Sequence, residues 1–93
     1  KLSDNSTIKL EDGMVHYFTV AETTNTNPTF TFSSSVNLDT KMAIGETVSV
    51  TVIMTPNGAG YSGGVVITGG TPTTNWVGGS APTGGGASGV DIY

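Results

Sequence analysis

Between residues 29 and 55 the apolar and polar side chains alternate with a period of two, and Ser, Gly, Pro or Asn closes every run. Thr29-Phe30-Thr31-Phe32-Ser33 puts both phenylalanines on one face. Residues 47–55 put Val48, Val50, Val52 and Met54 on one side, and Thr47, Ser49, Thr51 and Ile53 on the other. A period of two is that of a pleated strand, whereas a helix repeats every 3.6 residues. The composition agrees. Leucine occurs only at Leu2, Leu10 and Leu38, Arg and Gln are absent, and Val, Thr, Ile, Tyr and Phe are plentiful. The chain reads as all-β.

The other segments fit the same class. Thr7-Ile8-Lys9-Leu10 and the run from Met14 to Val20 flank Glu11-Asp12-Gly13. Asp-Gly between two such runs predicts a tight hairpin, because a primed turn needs positive φ at its centre. In the second run Met14, His16, Phe18 and Val20 share a face, and Val15, Tyr17 and Thr19 share the other. Residues 21–28 are polar, and Pro28 biases Asn27 toward an extended backbone. Val36, Leu38 and Met42 alternate in a further run, and Ala43-Ile44-Gly45-Glu46 reads as a turn. Pro56-Asn57-Gly58 ends the longest strand, and Val65-Val66-Ile67-Thr68 reads as a short buried one.

With Val90-Asp91-Ile92-Tyr93 this makes about seven strand candidates, spaced as in a sandwich or barrel. The prediction is a small antiparallel β-sandwich of six to eight short strands, with a long Gly-rich loop over residues 78–89. Its core is expected to hold Met14, Phe18, Phe30, Phe32, Val48, Val50, Val52, Val65 and Ile67. No internal repeat of solenoid length is visible. Residues 1–93 form a single domain, expected to be a fragment of a longer polypeptide because the last strand-like run stops without a cap. An edge left open there exposes unpaired backbone groups, so a neighbouring chain is expected to cover it.

Charge and composition narrow the function. Three lysines face seven acids and there is no arginine, so a phosphate backbone finds no partner and nucleic-acid binding is not expected. Without cysteine there is no disulfide framework and no thiolate metal site. No apolar run approaches the roughly eighteen residues of a membrane-spanning helix, and no membrane partner is expected.

Catalytic constellations are also missing from the sequence. His16 is the only histidine, sits in an apolar run and has no G-x-S-x-G elbow or cysteine to serve. It reads as a core or interface residue bonded to a strand neighbour. The seven acids are scattered, with neither a glycosidase-like pair nor an EF-hand pattern. Gly84-Gly85-Gly86 lacks the lysine and the following helix of a phosphate loop. The chain is expected to be no enzyme and to need no cofactor. Asp91 reads either as the polar face of a strand or as a carboxylate accepting N–H groups from the glycine loop before it. Trp76 and Tyr61, aromatics among glycines, read either as packing or interface anchors or as rings on which a sugar stacks.

Trp76-Val77-Gly78-Gly79-Ser80-Ala81-Pro82-Thr83, a Gly/Ala/Ser spacer, and Gly89-Val90-Asp91-Ile92-Tyr93 resemble a recurring segment of phage virion proteins. There an aromatic-x-Gly-Gly-x-Ala-Pro-Thr loop leads into a Val-Asp-aromatic strand. The upstream order is similar as well, from Met14 onward. The resemblance implies a β-sandwich domain of a tail fibre, appendage or capsid decoration, with at least one more strand following. It implies a place on the surface of an extracellular particle, and partners that are other virion proteins and copies of itself, as a homo-oligomer such as a trimer. Tyr17, Ile53, Tyr61, Trp76, Pro82 and Asp91 are the candidates for interface or ligand contact. Two alternatives stand beside this: a module binding carbohydrate or a host-surface receptor glycan, and a bacterial filament subunit completed by a neighbour's strand.

Overall fold

The computed structural model describes residues 1–93 with the exception of Ala59. Six short strands form two three-stranded sheets: β1 (Thr7–Lys9), β2 (Val15–Phe18), β3 (Thr29–Thr31), β4 (Thr51–Met54), β5 (Val66–Ile67) and β6 (Asp91–Ile92). The odd strands make one sheet in the order β1-β3-β5, and the even strands make the other in the order β2-β4-β6. The chain therefore crosses from one sheet to the other at every connection. β1 with β3, β3 with β5, and β2 with β4 are parallel, and only β4 with β6 is antiparallel. The strand-based class stands, but the expected antiparallel pairing does not.

The reason lies at residues 10–13. Leu10–Asp12 is a 3-10 turn, not the body of a hairpin. Leu10 is buried, and Glu11 N–H donates to Phe32 O at 3.1 Å. Gly13 follows at φ 123°, ψ 173°, a backbone region that side chains rarely adopt. Anchoring Leu10 below this corner sends the chain onward into the second sheet rather than back along β1. Glycine is needed at the position expected, but for a corner and not for a primed turn.

One apolar core draws on both sheets. Ile8 of β1 and Val52 and Met54 of β4 are buried with Leu2, and Phe18, Phe30, Val50 and Tyr93 pack on them half-buried. Several expected core residues lie elsewhere: Met14 is 45%, Val48 38% and Val65 36% exposed. The strand predicted over residues 47–55 is cut to β4 because its partner β2 begins only at Val15, in register with Thr51. Val48 thus has no strand to lie against. Val65 and Val66 flank or form an edge strand, open on one side, instead of a buried one. Phe32 and Leu38 belong to a second apolar group with Leu10, and the Lys41 ammonium sits 4.7 Å from the Phe32 ring centre.

The run from Val36 to Met42 is not a strand. Leu38–Lys41 forms one helical turn, α1, closed by Lys41 N–H to Asn37 O and Met42 N–H to Leu38 O at 3.1 Å each. Its first N–H groups are satisfied from across the fold: Leu38 N–H donates to Thr68 Oγ1 and Asp39 N–H to Thr68 O. The Thr68 hydroxyl also donates to the buried Thr31 hydroxyl at 3.0 Å, and the Thr31 hydroxyl donates in turn to Ser33 O at 2.9 Å. Those polar partners make a turn, not a strand, the satisfied state of this segment.

Candidate functional site

On the even-strand sheet, side chains alternate between the core and the outside. His16, Phe18, Val52 and Met54 take the inner side, so Val15, Tyr17 and Ile53 take the outer one. Register then aligns Tyr17 with Ile53, and Ile53 with Ile92, across all three strands. Tyr17 is 57%, Ile92 67% and Val15 64% exposed, with Ile53 half-buried between them. The outcome is an apolar band on a solvent-facing sheet. Three of its members, Val15, Tyr17 and Ile53, were expected from alternation. Ile92 was missed because it was read only as part of the terminal run, although the period of two along Asp91-Ile92-Tyr93 contains the signal.

Asp91 has the opposite orientation from a solvent-face residue. It is the cross-strand partner of Met54, and its half-buried carboxylate accepts the Gly86 N–H at 3.1 and 3.3 Å. The bond to the glycine loop is thus present, and the carboxylate orders residues 84–86 rather than facing outward. Tyr93 follows on the inner side, exchanging both backbone hydrogen bonds with Val52 at 2.9 and 3.0 Å. Its phenol oxygen accepts the Ser62 N–H at 3.2 Å. Burial pushes the Tyr93 phenol above its ordinary value, against the Ser62 bond and with help from the nearby Asp91 charge.

Trp76 is half-buried and stands at the junction of two apolar spaces. The inner one, about 130 Å³, is lined by Phe30, Val52, Ser62, Val65, Trp76 and Tyr93 among others. The outer one, about 480 Å³, opens beside Thr74, Asn75, Trp76, Pro82, Ile92 and Tyr93. Pro82 and Trp76 therefore meet in one recess, next to the end of the Tyr17–Ile53–Ile92 band. Tyr61 stands apart from this recess; its carbonyl accepts the Thr26 N–H in the stacked loops at 2.9 Å.

His16 is half-buried and its Nε2–H donates to Gly13 O at 2.8 Å. The bond fixes the ring at the entrance to β2; its partner is the corner residue Gly13 and not the strand neighbour expected for it. The residue that sequence reasoning passed over is Glu22, only 1% exposed. Its two carboxylate oxygens accept the N–H groups of Ser3 and Thr23 at 3.0 Å each. Burial alone pushes this carboxyl up, but the bonds from Ser3, Thr23 and Thr24 outweigh it and hold the group below the usual range.

No family model matches the chain, and no curated protein or solved structure is significantly similar to it.

Proposed function

We propose that this chain is a non-enzymatic structural module that acts through assembly, as a tail-fibre or appendage domain or a capsid-surface decoration of a phage virion. The observation that carries the reading is the outer band of Val15, Tyr17, Ile53 and Ile92. Three of these four side chains stay more than half exposed while the core contains only a few buried apolar residues. A contiguous apolar band on a sheet face is characteristic of a surface that packs against a neighbour. The two sheets serve as the layers of a small sandwich, and the outer face of one layer contacts other copies or other particle proteins. The particle reading rests on the Trp76–Thr83 and Gly89–Tyr93 segments described above.

Sedimentation velocity over a range of concentrations tests the assembly claim. The native chain is expected to self-associate, as a trimer or another closed oligomer. The double substitution Tyr17→Ser, Ile92→Ser is expected to leave a folded monomer. A native chain that stays monomeric and melts sharply at high concentration would contradict self-assembly, and a copy count in a particle density map would test the virion assignment separately.

A further inference from the structure

The recess around Trp76 differs from the apolar band beside it in one respect: it combines ring surfaces with polar groups that the protein leaves unused. Trp76 and Tyr93 supply two aromatic walls, and Pro82, Val65 and Ile92 add aliphatic surface. Asn75 and Thr74 line the same space. Among the described residues the Asn75 amide, the Thr74 hydroxyl and the Trp76 indole N–H make no side-chain hydrogen bond. No buried polar side-chain atom lacks a partner there, so the indole N–H faces solvent. A turn closed by Gly79 N–H to Trp76 O at 2.9 Å sets the backbone at Trp76, and the Tyr93 ring is held by its hydroxyl, which accepts the Ser62 N–H. At about 480 Å³ the recess falls within the range of roughly 300–1,000 Å³ typical of small-molecule sites.

We propose that this recess is a binding site for one neutral pyranose ring of a saccharide. A pyranose presents an apolar face of C–H bonds, which suits an aromatic ring, and an equatorial rim of hydroxyls that need donors and acceptors. Trp76 or Tyr93 takes the face, and Asn75, Thr74 and the indole N–H take the rim. No side chain lining the recess carries a charge, so an anionic sugar or a phosphate gains nothing there. An apolar side chain from a protein partner would fill the space but would bury those three polar groups without partners, which is unfavourable. Tyr61 is no part of the site.

Trp76 is the only tryptophan, so fluorescence excited selectively at the indole, apart from the three tyrosines, reports on the two spaces that Trp76 lines, this recess and the smaller one inside it. The test is a fluorescence titration of the native chain with neutral oligosaccharides: maltotriose, cellotriose, a β-galactobiose and chitotriose. At least one is expected to shift or quench the emission saturably. Asn75→Ala, at an exposed position, is expected to keep the native circular dichroism spectrum and to weaken that binding several-fold. Trp76→Ala, followed by calorimetric titration, is expected to weaken it roughly tenfold or more, the size of a lost stacking contact. The proposal is overturned if none of the four sugars changes the emission. It is also overturned if binding survives both substitutions, or if only an apolar probe such as benzyl alcohol titrates, which marks a contact for a protein side chain instead.

Discussion

Two regions of this molecule are built from similar residues and behave in opposite ways. Where residues 22–27, Gly58, residues 60–64 and residues 84–86 meet, polar and glycine-rich loops are locked together. Gly85 N–H donates to Gly58 O at 2.8 Å, Gly58 N–H to Gly86 O at 3.1 Å, and Gly63 N–H to Asn25 Oδ1 at 3.1 Å. A Cβ on Gly60 would collide with the Glu22 backbone, and one on Gly85 with the Gly60 carbonyl. Around Trp76 and the outer band, by contrast, a Cβ on Gly78 or Gly79 would meet nothing within 4 Å, Val77 is fully exposed, and the side-chain polar groups of Asn75 and Thr74 are unused. Glycine in the first region permits backbones to approach; in the second it only shapes a turn. Order in this chain comes as much from loop backbones stacked on each other as from apolar burial.

The comparison can be broken by mutation, and the largest effect belongs to the core both regions share. Met54 is 1% exposed, so Met54→Ala is expected to cost about 2–5 kcal/mol in urea unfolding, most of the stability of so small a domain. Gly60→Ala is next, at about 3 kcal/mol, since the new methyl meets backbone that cannot step aside. Gly84→Ala is its control. There the added carbon meets only Gly58 O at 3.7 Å, and a change within about 0.5 kcal/mol is expected. Equal losses at both sites would show that the loops are not stacked as described.

Glu22 sharpens the contrast through pH. Its carboxyl is held below its unfolded value, so the unfolded chain binds its proton first as pH falls. The stabilisation is fully present above the unfolded value of about 4.3 and is lost as pH drops through the lower folded value. Glu22→Gln places an amide donor against N–H donors and is expected to cost about 1–3 kcal/mol near neutrality. It should also flatten the acid limb of the stability curve, measured by urea midpoints across the acid range. An unchanged acid limb would assign that slope to other acids. The smallest effect on stability belongs to the open region: Tyr17→Ser is expected to shift it by no more than about 0.5 kcal/mol, while changing the sedimentation behaviour.

What was legible in the sequence was local. Alternation identified the strand class, the burial of Val52 and Met54, and the outward side of Tyr17 and Ile53, because a pleated backbone leaves little choice once a strand forms. Pairing was not legible. Asp12-Gly13 supports a hairpin as well as a corner, and the deciding factor is Leu10 burying itself against residues far along the chain. Leu2 was missed because it stands in no alternating run, and Ile8 because the four-residue run from Thr7 to Leu10 is too short to show which face is buried. Glu22 was missed because a buried carboxylate is recognised by its N–H partners, which come from Ser3 and from its own loop. At the candidate site, Trp76 and Pro82 were visible as types, but the recess that joins them depends on how residues 71–83 fold back over Tyr93.

The alternation of the chain between two sheets has a consequence for how it acquires its structure. Among the described residues no two strands adjacent in sequence are hydrogen-bonded to each other; each ladder skips one strand. There is accordingly no hairpin able to form early and template the rest, and every ladder must close a long loop before any contact rewards it. The chain is expected to refold slowly for its size, on the roughly millisecond-to-second scale of non-local β topologies. Until the second turn of chain is laid down, β2 and β4 are each a bare edge beside apolar side chains. Time, more than final stability, then decides how much of it survives to its native form.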